Sequence, residues 1–508
     1  MNKPNVLIFC VDEMRADHLG CAGNKTIKTP NIDRLARLGT YFPNGYCNNP
    51  ICMPARASMF TGMLPRDHGL RVNGQTLRKD IPTLPDIMAQ NGYFTHSAGK
   101  LHLSPWTTHE TPEGKASPEN ILSWTNGGIK KIPVPYYGFQ SVDFVGGHTA
   151  FAYGEYMQWL EDRGGDPRWL RESIVPPSGA PGCYQMKMPE ELHYNRFIAD
   201  STIKAIQTSA DTPFFIWSSF PDPHCPCAPP EPYAKMYNPD EVELPAQRDG
   251  EINELPPFYR DVLSGRIKPN GIDNSAVEPE HWKEIIALTY GMITHLDKEI
   301  GRVLDYLESE DKIKNTIICF ISDHGDMMGD HGLLWKSFYT FRGCTNIPFI
   351  IAAPGGNKNS VNQHLVSQID LMPTILDLCG LPLPGADWKS VETTFERGSL
   401  MELNNYSGMS LRPMLLDGNE KVRDSVVIEN DDPTTGFHVR CMVTDKYRIA
   451  VYPGTEHGEL FDIMNDPDEL HNLWYDESCS ALKNKLIFEL LSEYAGDTPF
   501  GPVPSGNS

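Results

Sequence analysis

The segment NVLIFCVDE, residues 5–13, sets the fold of this chain. Its run of consecutive apolar residues, without polar alternation, is typical of a strand buried on both faces, as in a parallel sheet covered by helices. Two carboxylates, Asp12 and Glu13, follow the last apolar residue directly. Open α/β sheets bind their ligands beyond the carboxyl ends of the strands, so this strand end is a candidate for function.

The chain on either side of this strand repeats the same pattern. Apolar runs at 94–100, 213–220, 315–323 and 347–354 predict further strands, and segments 31–39, 83–93, 189–209 and 280–309 predict helices. We therefore predict the α/β class, with a large, mostly parallel sheet sandwiched by helices. Two segments break the rhythm, 103–188 and 221–274, and we predict long loops over one edge of the sheet.

The pattern changes after about residue 385. Four short strand-like runs follow at close spacing, SVVIEN, HVRCMVTD, YRIAVY and ELFDI, and then a helical segment, SALKNKLIFELLSEYAG. We predict a catalytic α/β domain over residues 1–385. Residues 386–508 are predicted to form a small C-terminal antiparallel α+β subdomain with one helix.

Composition and charge narrow the range of partners. The formal net charge is -22, which disfavours nucleic acid and anionic lipid as partners. The first apolar run is too short for a signal peptide, and no stretch is long enough to cross a membrane, so we expect a cytoplasmic protein. The 12 cysteines are scattered along the chain, and we expect free thiols rather than a disulfide framework.

Four predicted strands end in charged or imidazole side chains. In chain order these side chains are Asp12 and Glu13, Lys100 and His102, His224, and Asp323 and His324. If the strands share a sheet, their polar ends meet, and the carboxylates then require a hard divalent cation, Ca²⁺ or Mg²⁺. The imidazole of His324 extends the choice to Mn²⁺. Taken singly, each group also fits a helix cap or a solvated strand end.

The segment CMPARASMFTG, residues 52–62, resembles the signature of the type I sulfatases, C-x-P-[SA]-R-x-x-x-[LF]-T-G. A lone C-x-P-x-R is ordinarily a half-buried cysteine beside a surface arginine. Here the resemblance extends over nearly the whole chain, through segments such as TPNIDRLARLG, ISDHGDMMGDHGLLWK and ELFDIMNDPDELHNL. It implies the fold of the alkaline phosphatase superfamily.

The resemblance also implies a chemistry. In type I sulfatases the signature cysteine is oxidised by a formylglycine-generating enzyme, and the hydrated aldehyde attacks the sulfur of a sulfate ester. Carried over to this sequence, it implies catalytic roles for Cys52, Arg56, Lys100, His102, His224 and Lys336. It implies metal ligation by Asp12, Glu13, Cys52 (through its diol oxygen), Asp323 and His324. The implied substrate is a small sulfate ester or a sulfated sugar, and assembly into a homo-oligomer stays open.

Two positions depart from the commonest family pattern, and one rival function stays open. Glu13 stands where many members have Asp, and His324 where many have Asn. Phosphonate monoester hydrolases and phosphodiesterases of the same superfamily share the cysteine signature but typically lack the Lys-x-His pair formed here by Lys100 and His102. A metal-bearing binding protein without turnover is a third reading if Cys52 stays a thiol.

Overall fold

The computed structural model describes residues 3–107, 117–171, 173–174, 178–382, 407–416, 418 and 420–495. The predicted boundary between residues 385 and 386 lies outside these residues, and the division into two domains stays a prediction. The strands are β1 (Asn5–Val11), β2 (Thr40–Tyr41), β3 (Gly45–Tyr46), β4 (Phe94–Gly99), β5 (Ser141–Gly146), β6 (Tyr153–Gly154), β7 (Ser173–Ile174), β8 (Gln185–Met186), β9 (Phe214–Phe220), β10 (Thr316–Ser322), β11 (Phe349–Ala352), β12 (Ser360–Val361), β13 (Val366–Ser367), β14 (Ser425–Asp431), β15 (His438–Thr444), β16 (Tyr447–Val451) and β17 (Gly458–Asp462). The helices are α1 (Pro30–Leu38), α2 (Cys52–Thr61), α3 (Pro65–His68), α4 (Leu84–Gln90), α5 (Ile121–Thr125), α6 (Glu155–Asp162), α7 (Tyr194–Ser209), α8 (Pro257–Leu263), α9 (Pro279–Ser309), α10 (Arg342–Thr345), α11 (Leu371–Leu378), α12 (Arg412–Leu416) and α13 (Ser480–Ala495).

A nine-stranded sheet forms the centre, in the order β12-β2-β11-β10-β1-β9-β4-β5-β6. Strand β1 pairs in parallel with both β10 and β9, and β4 pairs in parallel with β9 and β5. Strand β11 runs antiparallel to β10. The predicted large, mostly parallel sheet is therefore confirmed, and the carboxyl ends of β1, β4, β9 and β10 lie along one edge.

Strand β1 separates two hydrophobic cores. Leu7 and Phe9 belong to the core shared with helices α7 and α9, whereas Val6 and Ile8 belong to the core shared with α2 and α11. All four side chains are completely buried. Burial on both faces explains why the sequence of β1 shows no alternation.

The segment 103–188 was expected to be a long loop, and this expectation is wrong. It supplies β5 and β6, which extend the sheet beyond β4. Inward residues of β5, such as Val142 and Phe144, are buried, and they complete the core under the sheet edge. Segment 221–274 fits the expectation better, since it contains short 3-10 turns and the single helix α8.

The C-terminal residues form the predicted small antiparallel sheet. Strands β14, β15, β16 and β17 pair in that order, each antiparallel to the next. Helix α13 packs on this sheet through buried Leu486 and Leu490, which contact Ile449 and Leu460 in one cluster. The cysteines are free thiols, as expected. Within the described ranges, every helix is too short or too polar to cross a membrane.

Candidate active site

The parallel strand order brings the predicted polar residues to one edge. Asp12 and Glu13 follow β1, Lys100 follows β4, His224 lies shortly after β9, and Asp323 follows β10. The four strands are adjacent in the sheet. Their ends therefore form one buried polar cluster on the side of the sheet edge where α2 begins.

Four side chains form a compact group within this cluster. Asp12, Cys52, Asp323 and His324 each offer one ligand atom, and these atoms lie within 4.8 Å of one another. The Sγ atom of Cys52 lies 3.2 Å from Nε2 of His324 and 3.6 Å from Oδ1 of Asp12. All four residues are buried.

The position of Cys52 follows from the helix that it begins. Ile51 is extended at the N-cap, and Cys52 is the first residue of α2, with Pro54 in the first turn. The partial positive charge of a helix N-terminus favours an anion at this place. Burial, followed by the negative charge of Asp12, raises the pKa of the Cys52 thiol to about 11, so the unmodified thiol is protonated at neutral pH.

Glu13 lies beside this four-residue group rather than within it. Its Oε2 atom is 3.0 Å from Nζ of Lys336 and 3.1 Å from Nε2 of His224. Its Oε1 atom is buried and has no hydrogen-bond partner in the described part of the chain. Burial raises the pKa of Glu13 to about 8, although the positive charge of Lys336 opposes the rise.

Arg56 ties the carboxylates to two strand ends. Its Nε atom donates to Oδ2 of Asp323 at 2.8 Å, and its Nη2 atom lies 3.4 Å from Asp12. Its Nη1 atom donates to the carbonyl of Lys100 at 3.2 Å and to Oγ of Ser219 at 2.9 Å. The side chain is completely buried.

Lys100 and His102 approach from β4. The Nζ atom of Lys100 donates to Oδ2 of Asp12. Burial would raise the pKa of Asp12, but the positive charges of Lys100, His224 and Arg56 hold it well below its usual value. Both ring nitrogens of His102 are buried and lack a hydrogen-bond partner in the described residues. This imidazole is therefore free to bind a ligand.

His224 and Lys336 form a pair on the opposite side of the group. The Nζ atom of Lys336 lies 2.6 Å from Nε2 of His224. Burial lowers the pKa of His224 well below its usual value, and the charges of His148 and Lys336 lower it further. Burial would also lower the pKa of Lys336, but its acidic neighbours, Cys52, Glu13 and Asp12, hold the pKa well above its usual value. The excess proton of the pair therefore resides on Lys336.

The donor set fits a divalent cation. Asp12 and Asp323 offer carboxylate oxygens, His324 offers a ring nitrogen, and the unpartnered Oε1 of Glu13 is a further oxygen nearby. Oxygen ligands with one nitrogen suit Ca²⁺, Mg²⁺ or Mn²⁺. The soft sulfur of Cys52 is a poor match for Ca²⁺ or Mg²⁺, whereas an oxygen at the same position would suit either ion.

Sequence reasoning missed three residues of this site. The ring of His148 stacks on that of His224, with centroids 3.6 Å apart and planes 11° from parallel. Glu119 accepts the backbone N–H groups of His102, Leu103 and Ser104. Gln368 donates to the carbonyl of Asp323 at 2.9 Å. Of the three, only His148 has a recognisable sequence pattern nearby. It follows SVDFVG, a strand-like run within segment 103–188.

A cleft lies elsewhere on the protein, and none of the strand-end residues lines it. It has a volume of about 920 Å³ and is lined by charges of both signs, among them Arg15, Asp17, Arg342 and Glu469. Arg15 forms ion pairs with Asp17 and Asp330. Glu469 is likewise paired, with Arg448.

Comparisons with known proteins identify the family. The sulfatase family model matches residues 4–381. An arylsulfatase of Clostridium perfringens is 30% identical, over 98% of this chain and 96% of its own length. The uncharacterized sulfatase YidJ of Escherichia coli is 28% identical over 97% of this chain and 87% of its own.

Among solved structures, a phosphonate monoester hydrolase of Agrobacterium radiobacter is similar to this chain. It has a TM-score of 0.80 and 25% identity, and the match covers 97% of this chain and 96% of that one. Because the family model covers well over half of the chain, the protein belongs to the sulfatase family, a family of sulfuric ester hydrolases in the alkaline phosphatase superfamily.

Proposed function

We propose that this protein hydrolyses a small sulfate ester or a sulfated sugar to an alcohol and inorganic sulfate. One observation carries the proposal. Cys52, at the start of α2, lies within 4.8 Å of the ligand atoms of Asp12, Asp323 and His324. A cysteine among carboxylates is a weak nucleophile, because burial and negative charge keep its thiol protonated. An oxygen in place of the sulfur would match a hard divalent cation at this position and could act as the nucleophile.

The nucleophile in this proposal is formylglycine, made from Cys52 by a formylglycine-generating enzyme. Hydrated formylglycine supplies a hydroxyl in place of the thiol. A divalent cation, Ca²⁺ in the first instance and otherwise Mg²⁺ or Mn²⁺, would be held by Asp12, Glu13, Asp323, His324 and the oxygen at position 52. When bound, it supplies positive charge against the sulfate oxygens and lowers the pKa of the hydroxyl.

The remaining roles follow from position. Arg56, buried between Asp323 and Asp12, would fix the two carboxylates relative to the side chain at position 52. Lys100 would turn from Asp12 to a sulfate oxygen once a cation neutralises that carboxylate. His102, with two unpartnered nitrogens, would hydrogen-bond to the substrate or to the hydroxyl at position 52.

The leaving oxygen needs a proton when its bond to sulfur breaks. His224 and Lys336 are the candidates, and their side-chain nitrogens lie 2.6 Å apart. We propose that His224 Nε2 faces the leaving oxygen and passes on a proton held by Lys336 Nζ. Glu13, which contacts both groups, would hold the two side chains in place.

A phosphonate monoester hydrolase is the second candidate, and the likeness to the Agrobacterium radiobacter enzyme favours it. The two functions differ in the groups that meet the anion. Lys100 and His102 support the sulfatase assignment because the pair is typical of sulfatases. Both residues follow β4 at its carboxyl end, and Nζ of Lys100 contacts Asp12.

The test is a comparison of two substrates with one preparation. The protein is co-expressed with a formylglycine-generating enzyme and assayed with 4-nitrophenyl sulfate and an aryl phosphonate monoester, in Ca²⁺ or Mn²⁺. We expect a higher kcat/KM for the sulfate and no turnover of it by Cys52→Ala. A preference for the phosphonate would assign the rival function. Sulfate turnover that survives Cys52→Ala would contradict both.

A further inference from the structure

A second cluster of metal-ligating side chains lies outside the candidate active site. His193 is the N-cap of α7, Asp222 follows β9, and His295 lies in the middle of α9. One ligand atom from each residue lies within 4.8 Å of the other two, and all three residues are buried. None of the three has a part in the proposed sulfatase chemistry.

Several polar atoms of this cluster lack partners. Nε2 of His193, Nε2 of His295 and Oδ1 of the adjoining Asn195 are buried without a hydrogen bond in the described part of the chain. A buried polar atom left without a partner costs about 1–3 kcal/mol. Three such atoms in one place indicate that the cluster holds a further species, either water or a cation.

The surroundings of Asp222 favour a cation over water. Asp222 accepts hydrogen bonds from the hydroxyl of Tyr194 and from Nδ2 of Asn195, at 2.8 Å for the second. Both donors are neutral, and within the described residues no lysine or arginine forms an ion pair with Asp222. Water could satisfy only the unpartnered polar atoms, whereas a divalent cation would also balance the charge of the ionised carboxylate.

The ligands also indicate the kind of cation. Completely buried imidazoles favour the neutral form, which is the form that binds metal ions. Two imidazole nitrogens with one carboxylate are typical of Zn²⁺ and related transition metals, whereas Ca²⁺ sites consist mainly of oxygen ligands. Ligands at 2.0–2.2 Å from Zn²⁺ lie roughly 3.5 Å apart in a tetrahedron. Because the three ligand atoms lie within 4.8 Å of one another, small side-chain movements are enough to reach this geometry.

We propose that His193, Asp222 and His295 bind a second metal ion, a transition-metal dication such as Zn²⁺, with Oδ1 of Asn195 as the fourth ligand. The ion joins the start of α7, the middle of α9 and the segment that leads from β9 to His224. The carbonyl of Asp222 also accepts the N–H of Asp12 at 3.3 Å. The second ion therefore has a structural role: through Asp222 it stabilises the sheet edge that carries Asp12.

The test is metal stoichiometry in the full-length protein. The protein is stripped with a chelator, dialysed against Zn²⁺ plus Ca²⁺ and then against metal-free buffer, and its bound metals are measured by mass spectrometry. We expect one Zn²⁺ per chain in the wild type. His295→Gln keeps a helix-forming residue, and His193→Asn keeps an N-cap, because the His193 side chain accepts the N–H of Asn195. Each variant should bind Zn²⁺ at least about 100-fold more weakly.

Asp323→Asn is the matched control, because it alters only the first cluster. It should lose Ca²⁺ and keep Zn²⁺, and Co²⁺ bound in place of Zn²⁺ should keep the same visible absorption spectrum in this variant as in the wild type. Circular dichroism checks that each variant is folded, and His193→Asn replaces His295→Gln if the latter does not fold. Absence of tightly bound Zn²⁺ in the wild type, or Zn²⁺ retained by both histidine variants, overturns the proposal. Because no activity is measured, this result is independent of the proposed sulfatase function.

Discussion

Arg56, in the candidate active site, and Arg448, in the small C-terminal sheet, are both buried guanidinium groups held between two carboxylates. Arg56 contacts Asp323 and Asp12, and Arg448 contacts Glu459 and Glu469. By burial and by ion pairs alone, the two sites are alike. Their surroundings are different.

Around Arg448 the neighbours are aromatic. The rings of Phe341 and Phe461 each lie 4.8 Å from the guanidinium carbon, and the hydroxyls of Tyr259 and Tyr452 donate to Glu459. Around Arg56 the neighbours are titratable groups from four strand ends, and several of their polar atoms have no partner. A buried ion pair is thus a weak indicator of function, whereas unmatched polar groups that converge from several elements are a strong one.

The largest effect that we expect belongs to the structural site. Arg448→Met would leave Glu459 and Glu469 buried without their counter-ion and should lower the free energy of unfolding by about 3–5 kcal/mol. Denaturant titration measures the loss. Arg440→Met, on the neighbouring strand, removes an ion pair with Asp431, which still pairs with Arg71 and His438, and should cost less than about 1 kcal/mol. Equal losses of unfolding free energy in the two variants would show that the Arg448 network stabilises the fold no more than the Arg440–Asp431 ion pair does.

At the candidate active site the same kind of change should act on catalysis. Arg56→Lys keeps the charge but loses the planar fork that meets Asp323, Asp12 and Ser219 at once. Loss of one positioned donor typically lowers kcat by about 10²–10³-fold. We expect that drop in sulfate turnover, measured per matured enzyme. Arg448→Lys, assayed well below its melting temperature, should keep its kcat, and a similar drop in both variants would remove the distinction.

Removal of the active-site metal ion should also distinguish the candidate active site from the Arg448 network, through its effect on the melting temperature. A ligand present at 100 times its dissociation constant stabilises the folded state by about 2.7 kcal/mol. Chelation should therefore lower the melting temperature, Ca²⁺ should restore the part of the shift that belongs to the active site, and this Ca²⁺-dependent part should vanish in Asp323→Asn. The distant Arg448→Met variant should show the full shift, because effects at separate sites add. A Ca²⁺-dependent shift in Asp323→Asn would place the ion elsewhere.

The sequence predicted the sheet, and it predicted which side chains meet at the sheet edge, for a physical reason. Continuous apolar runs specify strands buried on both faces, and the residue after each run is then confined to the sheet edge. The same logic failed for His148, because its strand, β5, lies within a segment rich in glycine and proline. It also could not place Glu13, whose backbone has a positive φ of 63° and whose side chain turns toward Lys336.

Clusters that are assembled only in three dimensions were beyond sequence reasoning. His193, Asp222 and His295 come from three elements and belong to no motif with a fixed spacing. The same holds for the network of Arg448, which joins the small sheet to Thr340 in the segment after Lys336. Sequence patterns report burial and local geometry, whereas these contacts depend on how distant elements pack.

The smallest expected effect tests the comparison most closely, because it removes one hydroxyl from each site. Ser219 accepts a hydrogen bond from Arg56 at 2.9 Å, and Thr340 accepts one from Arg448 at 3.0 Å. Each bond is worth about 1 kcal/mol. Thr340→Val should lower stability by that amount and leave kcat unchanged. Ser219→Ala should lower kcat several-fold. Without this hydrogen bond the guanidinium of Arg56 is less firmly oriented, and in the proposed mechanism it has to hold the group at position 52. If Ser219→Ala instead lowers stability alone, as Thr340→Val does, Arg56 is a structural residue of the same kind as Arg448, and its role in the proposed mechanism falls.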